Sequence, residues 1–316
     1  MSQNPTPPME PLSVGNVVSA GLKIYRDHFK SYFAVAIRVT LWSFLPFLVL
    51  IPLPLFFIYG RPETSTFLLL IVIPIWLLLL LYCSAKSIVN SAIIGRLVFG
   101  ELANQPETVR EAYQILAPRM WTFLSAFFLL FLIGIGVWLG LSLLIAIIVG
   151  MIGGITNSFQ ENFIAIGIVA VIGIVIFVIC LSFIIRLLTR FFIIDMPLAV
   201  EENMTATQTM GRSWELTKGY VGRIFLILIV AGLITVPISI IMQIVAGIFQ
   251  GILATTVPSE PTDISFQLLS FIIGYIIGLC GNLLLLPFWQ AIKAVIYYDL
   301  RTRREGMGLQ LRKREI

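Results

Sequence analysis

This 316-residue chain holds one histidine and three cysteines, and little else in it could carry out proton transfer, nucleophilic attack or soft-metal binding. His28 sits among Arg26, Asp27 and Lys30 with no second histidine or cysteine at ligand spacing. A metal needs two or three further ligands close by, and a general base needs an orienting partner, so His28 reads as an ordinary residue at a water boundary. Cys83, Cys180 and Cys280 recur roughly 100 residues apart, and three converging thiolates would suit copper(I). Each lies inside an apolar run, however, where a cysteine is most often a small packing residue. No Gly-x-Ser-x-Gly elbow and no phosphate-cradling glycine loop is present. The expectation is a non-enzymatic protein with no catalytic, cofactor-binding or metal-binding residue.

The chemistry that remains is electrostatic. Lys23, Arg26 and Lys30 share one face of an early amphipathic segment, and Arg301, Arg303, Arg304, Arg312, Lys313 and Arg314 form a basic segment at the other end. Such residues suit the anionic headgroups of a lipid bilayer on its cytoplasmic face, or an acidic face of a membrane-protein partner. The bland alternative for the closing segment is a solvated end that serves only to set topology. The net charge of +5 is no argument for nucleic acid until the elements that carry it are known.

Those elements belong to a membrane. Of the residues 59% are apolar and 12% charged, against about 25% charged in a soluble domain. Six uncharged runs, 39–60, 64–85, 120–160, 162–185, 224–259 and 264–292, each hold at least the roughly 20 residues that a spanning helix needs. They are continuously apolar rather than alternating, which excludes a β-barrel. The predicted fold class is therefore all-α integral membrane with six transmembrane helices. The long run 120–160 has its turn signal near its end, at Gly153, Gly154, Asn157 and Ser158, so it reads as one span. Residues 1–12 are polar and Pro-rich, are expected to be disordered, and do not form a signal peptide; the first span should act as an uncleaved insertion signal. With six spans, all of the 21 Lys and Arg except Arg61 fall on one side, which places both termini in the cytoplasm.

Residues 21–33, 112–124 and 213–225 align without gaps ahead of spans one, three and five. The chain thus divides into repeats of roughly 13–104, 105–200 and 201–300, each a short amphipathic helix plus two spans, followed by a basic tail at 301–316. In the first helix Val14, Val17, Val18, Leu22, Tyr25, Phe29 and Tyr32 make an apolar stripe. Ser13 should cap it, and Pro106 suits the first turn of the second copy. These helices should lie in the cytoplasmic interface or pack on the bundle as elbows. Gly136 with Gly140, Gly247 with Gly251, and Gly274 with Gly278 and Gly281 place small residues on single helical faces, which predicts close backbone packing. The bases and acids ending the even spans, Arg96 and Glu101, Arg190 and Asp195, Lys293 and Asp299, could hold neighbouring repeats together but read rather as separate surface charges. No charge falls in the middle of any run, which disfavours coupled ion transport. Asn90, Gln243, Asn282 and Gln290 can bridge helices by hydrogen bonds.

The opening Leu12-Ser13-Val14-Gly15 and Gly21-Leu22-Lys23-Ile24-Tyr25-Arg26, and the closing Tyr297-Tyr298-Asp299-Leu300-Arg301-Thr302-Arg303-Arg304-Glu305-Gly306, resemble the glycerophosphoryl diester phosphodiesterase membrane-domain family of prokaryotic proteins. The stretch 197–223, with Glu201, Ser213 and Trp214, is similar to that family's helix before a span. The resemblance implies a multi-span protein of the bacterial cell membrane, with an internal membrane such as a thylakoid as the other setting. It implies the membrane module alone, without the phosphodiesterase domain that follows it in some members. Two functions fit: a scaffold or regulator of membrane partners or lipids, or a transporter or lipid-handling protein for a neutral or amphipathic substrate. A central cavity would favour the second, and a closed glycine-packed centre would exclude it.

Overall fold

The computed structural model describes residues 12–50, 62–158, 163–256 and 264–306, and among them every regular element is helical. In chain order these are α1 (Val14–Asp27), α2 (Phe29–Leu50), α3 (Pro62–Leu102), α4 (Val109–Leu116), α5 (Met120–Ser158), α6 (Phe163–Phe191), α7 (Asp195–Val200), α8 (Ala206–Thr217), α9 (Val221–Thr256) and α10 (Ile264–Glu305). Six of them, α2, α3, α5, α6, α9 and α10, are long and apolar enough to cross a membrane, so the chain is an all-α multi-pass membrane protein. The run 120–158 is one uninterrupted helix, as its lack of a central turn signal predicts.

Short capped helices precede the three hairpins. The Ser13 hydroxyl accepts from the Asn16 amide, and Thr108 with Glu111 and Thr205 with Gln208 form reciprocal capping boxes. Pro106 is not in the first turn as expected: Thr108 takes the cap and the helix begins after it. Gly219, at φ +84°, turns the chain from α8 into α9, a conformation that side chains rarely adopt.

The 42 residues of α10 and the 41 of α3 extend about 60 Å at 1.5 Å per residue, twice the hydrocarbon thickness of ~30 Å. Both continue past the end of their uncharged runs because their second halves are buried by protein. Val89, Ala92, Ile93 and Ile94 of α3, and Ala291, Ile292, Val295 and Ile296 of α10, are at most 1% exposed. Small residues allow the close approach: a methyl group on Gly21 would stand 2.7 Å from Ile292 Cδ1. Part of the apolar stripe of α1 thus faces protein, with Val17 and Val18 buried beside Gly21 while Leu22 is exposed, and α1 is an elbow packed on the bundle. Burying one such Ile or Val contributes about 1.5–3 kcal/mol, so this end is where the fold is held.

Contacts link the six long helices in a cycle, and α3 also packs directly on α10. Each hairpin's first helix touches its own partner and the second helix of another hairpin: α2 touches α3 and α10, α5 touches α6 and α3, α9 touches α10 and α6. Away from the core the cycle loosens on one side. Among the described residues of α5 only Phe123 and Ala126 are buried, and of α6 only Thr189. By contrast α2, α3, α9 and α10 stay together, with Trp76 Nε1 donating to the Pro46 carbonyl at 3.0 Å and Tyr275 against Phe44 and Phe47.

The expected glycine packing is corrected at most positions. A methyl group on Gly136, Gly140, Gly247, Gly251 or Gly278 would meet nothing within 4 Å. Only Gly274, 3.6 Å from Gln250 Nε2, and Gly281, 3.2 Å from Met242 Cγ, are covered, so glycine contact is confined to the α9–α10 crossing.

Candidate functional site

At the core end, α3, the α6–α7 junction and α10 bring polar groups together. Asp195 opens α7 and is 1% exposed; its Oδ2 accepts from Lys293 Nζ at 2.9 Å and from Gln290 Nε2 at 3.3 Å. Gln290 Nε2 also donates to Ser91 Oγ at 2.5 Å, tying α10 to α3. A buried carboxylate needs a counter-charge and donors for its lone pairs, and Lys293 and Gln290 supply them for one oxygen. Asp195 Oδ1 and Gln290 Oε1 are buried without a partner among the described residues. Lys293 Nζ lies 5.4 Å over the Phe192 ring, which meets Trp289 edge-on.

Three further charge networks surround this cluster. Arg96 holds Glu107 through two bonds of 2.7 Å and donates a third of 2.7 Å to the Ala199 carbonyl. Glu201 Oε1 accepts from Tyr297 Oη at 2.5 Å and Arg212 Nε at 3.1 Å; Arg212 continues to Glu305, which Arg301 also reaches at 2.8 Å. On α8 the Arg212 guanidinium is held above its ordinary pKa by these two carboxylates, although burial opposes them. Asp299, 4% exposed, takes Arg303 at 3.0 Å, Arg223 at 3.1 Å and the Leu12 amide at 2.9 Å. Arg303 and Arg223 also donate to the Leu12 carbonyl.

These networks revise several expectations. The acids ending the even spans are not separate surface charges: Asp195 and Asp299 are buried in pairs, and Glu101 meets His28 Nε2 at 3.3 Å. Arg301, Arg303 and Arg304 are not a free tail; they continue α10, and Arg304 donates to the Lys218 carbonyl. Leu12 is not disordered, being fixed by Asp299. Arg312, Lys313 and Arg314, like residues 1–11, lie outside the described residues. Lys23, Arg26 and Lys30 are exposed as predicted, and Arg26 meets only its neighbour Asp27, at 3.7 Å. Gln290 bridges helices, whereas Asn90 donates to Lys86 O within its own helix and Gln243 and Asn282 are exposed. The cysteines occupy unlike places, Cys83 buried and Cys280 exposed, and no group of three metal-ligating side chains forms among the described residues.

The cations divide by partner in a way that their spacing in sequence does not show. Arg96, Arg212, Arg223, Lys293, Arg301 and Arg303 are neutralised by carboxylates inside the protein. Arg190 instead stacks its guanidinium on Trp214, 3.8 Å from the ring centroid, closer than the 5.4 Å of Lys293 over Phe192. No family model, curated protein or solved structure matches the chain.

Proposed function

We propose that the chain is a non-catalytic membrane protein that handles an amphipathic or neutral membrane molecule, held between the α5–α6 hairpin and the other four long helices. One observation carries this reading. Ser142 to Ile147 are six consecutive exposed residues, more than one turn of 3.6, so at that level no face of α5 is packed. An apolar helix that no protein covers at that level leaves room beside it for acyl chains or a similar apolar body. Placement in a bacterial cell membrane with both termini cytoplasmic, and the resemblance to the phosphodiesterase membrane-domain family, belong to the same reading. The test is purification in mild detergent followed by mass spectrometry of retained lipids and proteins. Near-stoichiometric retention of one small amphiphile, lost when Gly136→Phe and Gly140→Phe fill the gap, is the expected result. A chain that retains nothing, or that retains the same species after filling, overturns it.

A second reading, a scaffold for membrane partners, draws on the uncovered glycine pairs Gly136 with Gly140 and Gly247 with Gly251, since such faces admit another helix closely. A stable second protein in the same preparation, displaced by the same substitutions, supports this reading over the first. The opening of the scaffold argument that relied on a basic tail is weakened, because Arg301, Arg303 and Arg304 are engaged internally.

A further inference from the structure

We infer that Arg186, Arg190 and Trp214 form a headgroup site for one anionic phospholipid, where α6 reaches the core end of the bundle. Arg186 and Arg190 are four residues apart, so both side chains rise from the same side of the helix, with Cβ atoms about 6 Å apart. Neither forms an ion pair with any described carboxylate, although six other cations at this end do. Arg186 is exposed and Arg190 half-buried near the end of an apolar span, where a guanidinium without an internal carboxylate is matched by an anionic group of the bilayer.

The geometry prepares Arg190 for such a partner. Its guanidinium carbon stands 3.8 Å from the centroid of the Trp214 ring, a contact that restrains the side chain while leaving donors for an anion, since the ring itself accepts none of them in its plane. Trp214 is fixed in turn, because the neighbouring Ser213 Oγ donates to the Arg190 carbonyl at 2.6 Å and Thr209 Oγ1 to the Ile194 carbonyl at 3.0 Å. These bonds hold α8 against the end of α6, so little side-chain freedom remains to be lost on binding. A planar donor edge with a second cation one turn away matches a phosphodiester, which accepts two parallel bonds and carries a full negative charge. The surface above it fits the rest of a lipid: Phe183 is 51% and Ile179 62% exposed, three and seven residues before Arg186 on the same face of the helix, a bed for an acyl chain. Trp214, 45% exposed, is a residue type suited to the boundary between headgroups and hydrocarbon.

The inference does not rest on the proposed function, because it places the headgroup on α6 and α8 whatever lies beside α5. It is tested on the full chain in nanodiscs and by native mass spectrometry after exchange into phosphatidylglycerol or phosphatidylcholine. The expected result is one retained phosphatidylglycerol, with retention reduced about 10- to 30-fold in Arg186→Ala/Arg190→Ala, taking about 1 kcal/mol per cation near a headgroup. Arg190→Lys, which keeps charge but not the stacked fork, should lose part of the effect, and Arg110→Ala, at an exposed cation of α4, should lose none. If the double variant fails to fold, Arg186→Ala alone, at an exposed side chain, gives the same reading with a smaller change. Equal retention of both lipids, unchanged retention in the variants, or an equal loss in the Arg110 control overturns the site. Displacement of the lipid by millimolar inorganic phosphate would mean a free-phosphate site and would also overturn it. Gly136→Phe and Gly140→Phe should leave this lipid in place, which separates failure here from failure of the amphiphile reading.

Discussion

Lys293 donates to Asp195 Oδ2 at 2.9 Å across 98 residues of sequence, joining the last helix to the first turn of α7 in a site where the carboxylate is 2% exposed. Removing one partner leaves the other charge buried and unpaired. Asp195→Ala or Lys293→Met should therefore destabilise by about 3–5 kcal/mol, read from thermal unfolding in detergent. The double variant Asp195→Leu/Lys293→Met should be much less affected than the sum of the two. Additive losses would show that the pair does not couple α7 to α10.

The α3–α4 turn is held by a close backbone approach. A methyl group on Gly100 would stand 2.6 Å from the Gln105 carbonyl oxygen, which cannot move without opening the turn. On Gly95 it would instead meet the end of the Met196 side chain, a flexible thioether that can swing aside. Gly100→Ala should cost about 1–3 kcal/mol and Gly95→Ala clearly less, compared by midpoints of chemical unfolding. The reverse order would mean that the turn is softer than the core around Met196.

Acid should loosen α4 before the rest of the core end. The Thr108 amide donates to Glu111, and this bond, first among its causes, holds the carboxyl below its usual range. A depressed carboxylate contributes stability that is present above its unfolded-state pKa and is lost as pH falls through the folded value. Amide exchange at 108–112 should accelerate below the ordinary carboxylate range, and Glu111→Ala should show the fast exchange already at neutral pH. Identical protection in the variant and the parent would remove the capping box as the cause.

The six spans predict which positions face the same compartment. With the native cysteines replaced, Lys23→Cys and Lys218→Cys should react with a membrane-impermeant maleimide from one side of sealed vesicles, and Glu63→Cys from the other. Labelling of Lys23→Cys and Lys218→Cys from opposite sides would require an odd number of crossings between them.

The spans were readable because uncharged runs of this length have one stable solution in a bilayer, a helix with its backbone groups satisfied internally. Run 120–160 shows how far that goes, since its continuity and late glycines predicted the single helix α5. What fills the space beside a helix is not written in its own stretch. Asp195 looked like a surface charge because its nearest base in sequence is Arg190, whereas its partner Lys293 comes from the last helix. Arg303 looked like tail because its segment is charge-rich, but Asp299 one turn earlier and the backbone of Leu12 take up its donors. The glycines of α5 predicted contact from composition alone, and only the arrangement of the helices shows that Gly136 and Gly140 face open space. Gln290 was visible in advance as an isolated amide in an apolar run, and Asp195, Lys293 and Asp299 as charges whose partners were not.

The grip of Asp299, Arg223 and Arg303 on Leu12, together with the contact of α2 on α10, has a bearing on biogenesis. A nascent chain paused before residue 288 has already inserted its opening hairpin, yet the wall against which Gly21 and Val17 rest has not been synthesised. The opening hairpin must wait in the lipid, without that wall, until α10 arrives. Completion of the core end thus depends on α10, and a chain terminated before it should be a substrate for membrane proteases rather than a smaller stable protein.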